Sequence, residues 1–115
     1  MSYRTAKYFA VASLIAALAT PVSADETGLA GSLHALQKER GKTCMVDHFH
    51  FGKSVSFKKK RHARADAIVS WREFVAWEYG SDWGSYRRAG SKSMACKNSG
   101  GIWTCSVEAR PCRKR

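Results

Sequence analysis

The chain has 115 residues, 20 Lys and Arg against 9 Asp and Glu, and a formal charge of +11. That length excludes a multidomain enzyme and leaves a single core that is marginal without covalent staples. The cationic excess favours anionic partners without choosing among them, and the 9 acids are too scattered to read as paired catalytic carboxylates.

Residues 1–24 carry the three-part pattern of a secretory signal peptide. Arg4 and Lys7 precede an apolar run over residues 8–19, followed by Pro21 and the small-residue triplet Val22-Ser23-Ala24. Cleavage is expected after Ala24. The apolar run is shorter than the about 20 residues that cross a hydrocarbon core, and no second run follows, so a membrane anchor is not indicated. Arg4 has no twin and no cysteine follows the cleavage point, which leaves the plain secretory route to the periplasm or the medium. Cleavage removes two cations and no acids, so the remaining 91 residues (115 less 24) hold 18 cations against 9 acids, a formal +9.

Residues 25–41 read as a short helix or mobile arm. Leu29, Leu33 and Leu36 recur at helical spacing and Gly41 can close the end, although Gly28 and Gly31 weaken the helix. Residues 42–115 are expected to form one disulfide-stapled domain. It opens on a strand over 42–51, with Cys44, Val46, His48 and His50 on one face and Met45, Asp47, Phe49 and Phe51 on the other, more apolar face. Gly52-Lys53-Ser54 reads as a turn, and Lys58-Lys59-Lys60-Arg61 as a solvated, self-repelling loop. The spacing then predicts a helix over 63–79, with Ala67, Ile68, Trp71, Phe74 and Val75 within about 120° of arc and Gly80 as its cap. Glu78 projects into that stripe and calls for a cation, for which Arg87 or Arg88 is the natural candidate. Asp82 is expected to cap a short turn that puts Trp83 and Tyr86 on one side.

Strands over 92–99 and 102–109 are joined by Gly100-Gly101, a pair suited to the positive φ values of a two-residue hairpin loop. With those two in the loop, Ser99 faces Ile102, Asn98 faces Trp103 and Cys96 faces Cys105. The cysteines then form a non-hydrogen-bonded pair, whose Cα separation of about 4.5 Å suits a disulfide. This leaves Cys44 for Cys112, with the other two pairings of the four cysteines still open. Their spacing lacks the close Cys-x-x-Cys pairs of a zinc site. The order is β-α-β-β, an α+β fold with an antiparallel sheet packed on one helix.

From Trp71 the chain reads Glu78-Tyr79-Gly80, Trp83, Tyr86, Ala89, Cys96, Trp103-Thr104-Cys105, Ala109 and Pro111-Cys112. This spacing of aromatics and cysteines resembles a group of small exported alphaproteobacterial proteins without an assigned function. The resemblance implies a bacterial, periplasmic or secreted protein with structural cysteines, and it carries over no catalytic residue.

The candidate binding residues for an anionic partner are Lys58, Lys59, Lys60, Arg61 and Arg64, then Arg87 and Arg88, then Arg110 and Arg113 with Lys114 and Arg115. Trp77 and Trp83 can stack on sugar rings or bases. An exported protein meets envelope polymers first, so acidic glycan or lipid headgroups rank above nucleic acid. His48 and His50, two apart on a strand, reach one side and are weak metal candidates. A third ligand would have to come from His62 or His34. No nucleophile with a base is legible, so neither catalysis nor a cofactor is expected. The reading is a non-enzymatic binding module for anionic envelope material, followed by a structural or interaction protein with incidental charge, then His-based metal binding.

Overall fold

The computed structural model describes residues 26–115, and the expected signal peptide with its cleavage point lies outside the described residues. In chain order the elements are α1 (Leu29–Leu33), β1 (Leu36–Glu39), β2 (Lys42–Met45), β3 (His50–Lys53), α2 (Lys60–Tyr79), a 3-10 turn (Ser81–Trp83), β4 (Gly90–Ser99), β5 (Ile102–Arg110) and β6 (Cys112–Lys114). The class is α+β, antiparallel sheets packed against one main helix. The strands divide, however, into two three-stranded sheets, β1-β2-β6 and β3-β5-β4. The chain passes from one to the other at Pro111, which has no N–H to give a ladder and is buried, while its carbonyl accepts the Met45 N–H at 3.0 Å.

The segment expected as a helix over 25–41 is helical only in α1. Leu36 belongs to β1, and Arg40 and Gly41, at φ 47° and 79°, form the two-residue turn into β2. Gly41 supplies a positive φ either way, but the use is a hairpin loop, not a helix cap. The strand expected over 42–51 is likewise interrupted, giving β2 and β3.

The buried stripe of α2 is Ala63, Ala67, Trp71, Val75 and Tyr79, a strict four-residue repeat. Phe74, expected inside, is 50% exposed. The reason is how closely β3 approaches the helix. A Cβ on Gly52 would overlap the Ala67 carbonyl oxygen and lie 2.6 Å from the Trp71 nitrogen. At that separation only a glycine fits against the backbone between Ala67 and Trp71, and Phe74, off this line of contact, is left on the flank. Gly52 is therefore a strand residue at a close contact, not a turn residue, and its neighbours reverse the expected face. His50 points inward while Phe49 and Phe51 face out. Helix α2 also begins earlier than expected, so Lys60 and Arg61 are helical.

The hairpin of β4 and β5 has the expected register, Ser99 with Ile102 and Cys96 with Cys105, up to a bulge between Gly90 and Ser93. Both expected disulfides are present. Cys96–Cys105 joins β4 to β5 with Cα atoms 4.1 Å apart, and Cys44–Cys112 joins β2 to β6 at 4.0 Å.

Cross-linking longer loops removes more chain entropy from the unfolded state. For separations of 68 and 9 residues, replacing Cys44 and Cys112 by serine should cost about 4 kcal/mol, and replacing Cys96 and Cys105 about 2.5 kcal/mol. Urea unfolding of the two double variants checks the order, and equal losses would contradict it. Gly52→Ala is expected to lose about 2–3 kcal/mol by overpacking against the α2 backbone, read as a lower midpoint at unchanged slope.

Candidate functional sites: two cationic poles and a histidine–tyrosine cluster

The residues expected to bind an anion divide into three fates. Arg110 is buried and fully engaged. Its Nη1 donates to the Met45 carbonyl at 2.6 Å and to Glu39 Oε2 at 2.8 Å, its Nη2 to Glu39 Oε1 at 2.8 Å, and its Nε to Ser91 Oγ at 3.1 Å. A guanidinium whose donors are spent inside cannot meet a surface partner, so Arg110 leaves the binding set and becomes the fastening between the sheets.

Lys58, Lys59, Lys60, Arg61 and Arg64 are exposed at the amino-terminal end of α2. Helix α2 has no side-chain cap and no acid in its first turn, so these cations sit against the positive end of the helix, an arrangement that costs stability. Lys60 Nζ lies 5.2 Å from the centre of the Trp103 ring, and Trp103 pairs with Phe57 through two backbone bonds. Lys53 and Lys97 extend this pole across the outer sheet face, because Lys53 pairs with Ser106 and Lys97 with Thr104. Together with Ser54 they border a shallow cleft of about 410 Å³. Lys97 was absent from the expected set, although the hairpin register alone puts it beside Thr104.

The second and third expected clusters approach one another near the other end of α2 through Arg88 and Arg113, whereas Arg87 turns back to border a cleft with Ile68 and Arg72 of the middle of the helix. Arg88 Nη2 donates to the Asp82 carbonyl at 3.3 Å, and Lys42 Nζ to the Arg88 carbonyl at 2.6 Å. Lys92 Nζ donates to the Arg87 carbonyl at 3.1 Å, and Arg113 lies 5.4 Å from the Trp83 ring centre. The Nε atoms of Arg88 and Arg113 are buried without a hydrogen-bond partner. Trp83 itself is buried and donates to Glu26 at 2.8 Å, so it is not a stacking platform; Trp77 is 76% exposed. Asp82 gives no side-chain cap. Helix α2, 20 residues and about 30 Å long, runs from the cations of residues 58–64 to the end near which Arg88 and Arg113 lie, with the exposed Arg72 between them.

At the carboxy-terminal end of α2 lies a cluster that the sequence only half disclosed. Hairpin β1–β2 pairs Leu36 with Met45, and the Val46 N–H reaches the Ala35 carbonyl, so His34 and His48 emerge side by side. Their rings stack with centres 3.9 Å apart. The Tyr79 hydroxyl at the end of α2 is 2.9 Å from His34 Nε2, 3.1 Å from His48 Nε2 and 3.4 Å from His50 Nε2. Glu78 Oε2 is 3.0 Å from His50 Nε2, so its partner is this imidazole, not Arg87 or Arg88. Burial lowers the pKa of His48, aided by His34, and lowers that of His50 against the pull of Glu78. Burial and the neighbouring carboxylate push the Tyr79 hydroxyl up to about 12. The side chains of His48, His50 and Tyr79 are therefore neutral at neutral pH. His62 is elsewhere, exposed beside Phe57.

His48, His50 and Glu78 also form the end of a cleft of about 480 Å³ walled by Phe49, Phe51 and Phe74. Phe51 and Phe74 continue into a second cleft with Trp77 and Glu73. Glu39, Cys44 and Cys112 come together as well, but the sulfurs are bridged and the carboxylate is held by Arg110, so no free thiolate is available there. Among the described residues no helix is long and apolar enough to cross a membrane. No family model matches the chain, and no curated protein or solved structure is significantly similar to it.

Arg110 holds the Glu39 carboxyl below its ordinary value of 4.5. A carboxyl with a depressed folded pKa contributes fully above its unfolded value, and that contribution disappears as pH falls through the folded one. Glu39→Gln is expected to lower stability at pH 7 by about 2 kcal/mol and to flatten the acid limb of the stability curve. Calorimetric unfolding from pH 7 downwards checks it, and parallel curves for variant and parent would count against it.

Proposed function

We propose that the protein is a non-enzymatic binding module for anionic envelope material, acidic glycan ahead of lipid headgroup, working in the periplasm or outside the cell. The two disulfides fit a non-cytoplasmic protein, since such bonds form and persist in oxidising compartments. The observation that carries the binding reading is the spread of cations along α2, a helix about 30 Å long, from residues 58–64 at its start to Arg88 and Arg113 near its end. Only two ion pairs occur among the described residues, His50–Glu78 and Arg110–Glu39, and neither uses a surface lysine or arginine. Lys58 to Arg64 are thus held against a helix dipole without an ion pair or a first-turn acid to offset them. Asp66 of the second turn accepts from the Val55 N–H, and a polymer of negative charge supplies that offset. Two separated poles suit an extended chain better than a compact anion, because the second contact becomes intramolecular once the first is made. The resemblance to exported bacterial proteins agrees with this setting.

A second reading is an interaction protein whose charge is incidental. It is favoured by the contiguous exposed aromatics Phe51, Phe74 and Trp77, exposed by 62, 50 and 76%.

Retention on immobilised heparin, as a model acidic glycan, and on anionic vesicles separates the two across a salt series. The polymer reading expects retention that falls steeply with salt. It also expects loss on neutralising Lys58, Lys59, Lys60 and Arg61, and weaker binding of oligosaccharides too short to reach both poles. Vesicle binding without heparin binding would move the partner to lipid. Indifference of the parent protein to both at low salt would leave the interaction reading.

A further inference from the structure

We propose that His34, His48 and His50, with the Tyr79 hydroxyl, form a binding site for one divalent transition-metal ion of the zinc or copper class. Three of the chain's four histidines converge on a single oxygen, each through Nε2. They arrive from three separate places, the end of α1, the β2–β3 connection and the first position of β3.

The donor chemistry selects the ion. Neutral imidazole nitrogens with one phenol oxygen are borderline ligands, suited to zinc and copper and poorly suited to calcium or magnesium. The Nε2 atoms of His34 and His48 both stand within 3.1 Å of the Tyr79 oxygen, on the side from which an ion would be held.

The geometry is close to what an ion needs on one set of edges and open on another. In a tetrahedral site with bonds near 2.0–2.1 Å, neighbouring donors stand about 3.3 Å apart. The three nitrogen-to-phenol distances of 2.9, 3.1 and 3.4 Å are of that size. The nitrogens are spread around the oxygen, and no set of all three lies within 4.8 Å of one another. An ion must therefore draw at least one ring inward. The stacked rings of His34 and His48 show how near two of them already stand, with centres 3.9 Å apart.

His50 Nε2–H faces Glu78 in the metal-free arrangement, so His50 reaches the ion as the tautomer with its proton on Nδ1. Glu78 then remains as a nearby anion that balances the cation. Tyr79, as a phenol, is the weakest of the four donors.

A fully hydrogen-bonded cluster is the competing account. A phenol donates one bond and accepts two, and three neutral imidazoles can satisfy that arrangement without an ion. The two accounts differ in the role of Tyr79: it is the hub of a hydrogen-bonded cluster, but a dispensable fourth ligand of a metal site.

The test is isothermal titration of zinc chloride and copper chloride into the oxidised full chain, with electron paramagnetic resonance of the copper form. The expected result is one ion per chain with a dissociation constant on the order of micromolar or tighter, copper ahead of zinc, and nitrogen couplings in the copper spectrum. His48→Ala and His34→Gln should each weaken binding by at least about tenfold, Tyr79→Phe by less, and His62→Ala not at all. If His48→Ala fails to fold by circular dichroism, His34→Gln decides, because His34 lies half-buried near the edge of the described fold. Absence of binding at about 0.1 mM ion, or affinity unchanged in His34→Gln, would overturn the site and leave a hydrogen-bonded anchor.

Discussion

The arrangement of this protein depends on one buried cation. Arg110 closes β5 and holds, through one guanidinium, the Glu39 carboxylate of β1, the carbonyl that ends β2 and the Ser91 hydroxyl at the β4 bulge. Ser91 has a positive φ of 49°, a conformation unfavourable for a side chain, and its hydroxyl is placed there to accept from Arg110 Nε. Four strands are tied by charge-assisted bonds at the point where the chain leaves one sheet and enters the other. Beyond it, Pro111 ends the first ladder and Cys112 lands beside Cys44. A buried guanidinium stripped of its carboxylate would be strongly unfavourable, so both sheets must be assembled for either to be stable.

The same constraint positions the histidine cluster. Once Arg110 holds Glu39 and the end of β2, the β1–β2 hairpin is fixed in register, and the residues flanking it, His34 and His48, are adjacent. Helix α2 is pressed onto Gly52 of β3, which turns His50 inward and ends the helix with Tyr79 beneath all three rings. The cluster is thus where the two sheets and the helix meet. Charge is sorted by the fold accordingly: Arg110 is buried at the sheet junction, burial lowers the pKa of His48 and His50 at the end of α2, and the cations of residues 58–64 stay on the surface at its start.

Local signals were enough where a partner lay close in sequence. Gly100-Gly101 determined the register of β4 and β5, and with it the pairing of Cys96 with Cys105, because a two-residue loop leaves no freedom in which residues face one another. The apolar arc of Ala67, Ile68, Trp71, Phe74 and Val75 located α2, although Phe74 is half-exposed. Where one local signal served two structures, it misled. Gly41 closes a hairpin as readily as a helix, and Leu29, Leu33 and Leu36 have helical spacing although Leu36 lies in a strand. The contact that decides between them, Glu39 with Arg110, spans 71 residues.

By itself, then, the sequence determined the α+β class, the Cys96–Cys105 bridge, the long helix and the excess of positive charge, since each rests on composition, periodicity or a short loop. Only the tertiary structure decided that Arg110 is internal, that Trp83 is buried and Trp77 is not, that Glu78 turns to His50, and that His34 joins His48 and His50 on one phenol. Those outcomes depend on the approach of a strand to a helix and on a junction between two sheets, distances that no local stretch of chain encodes.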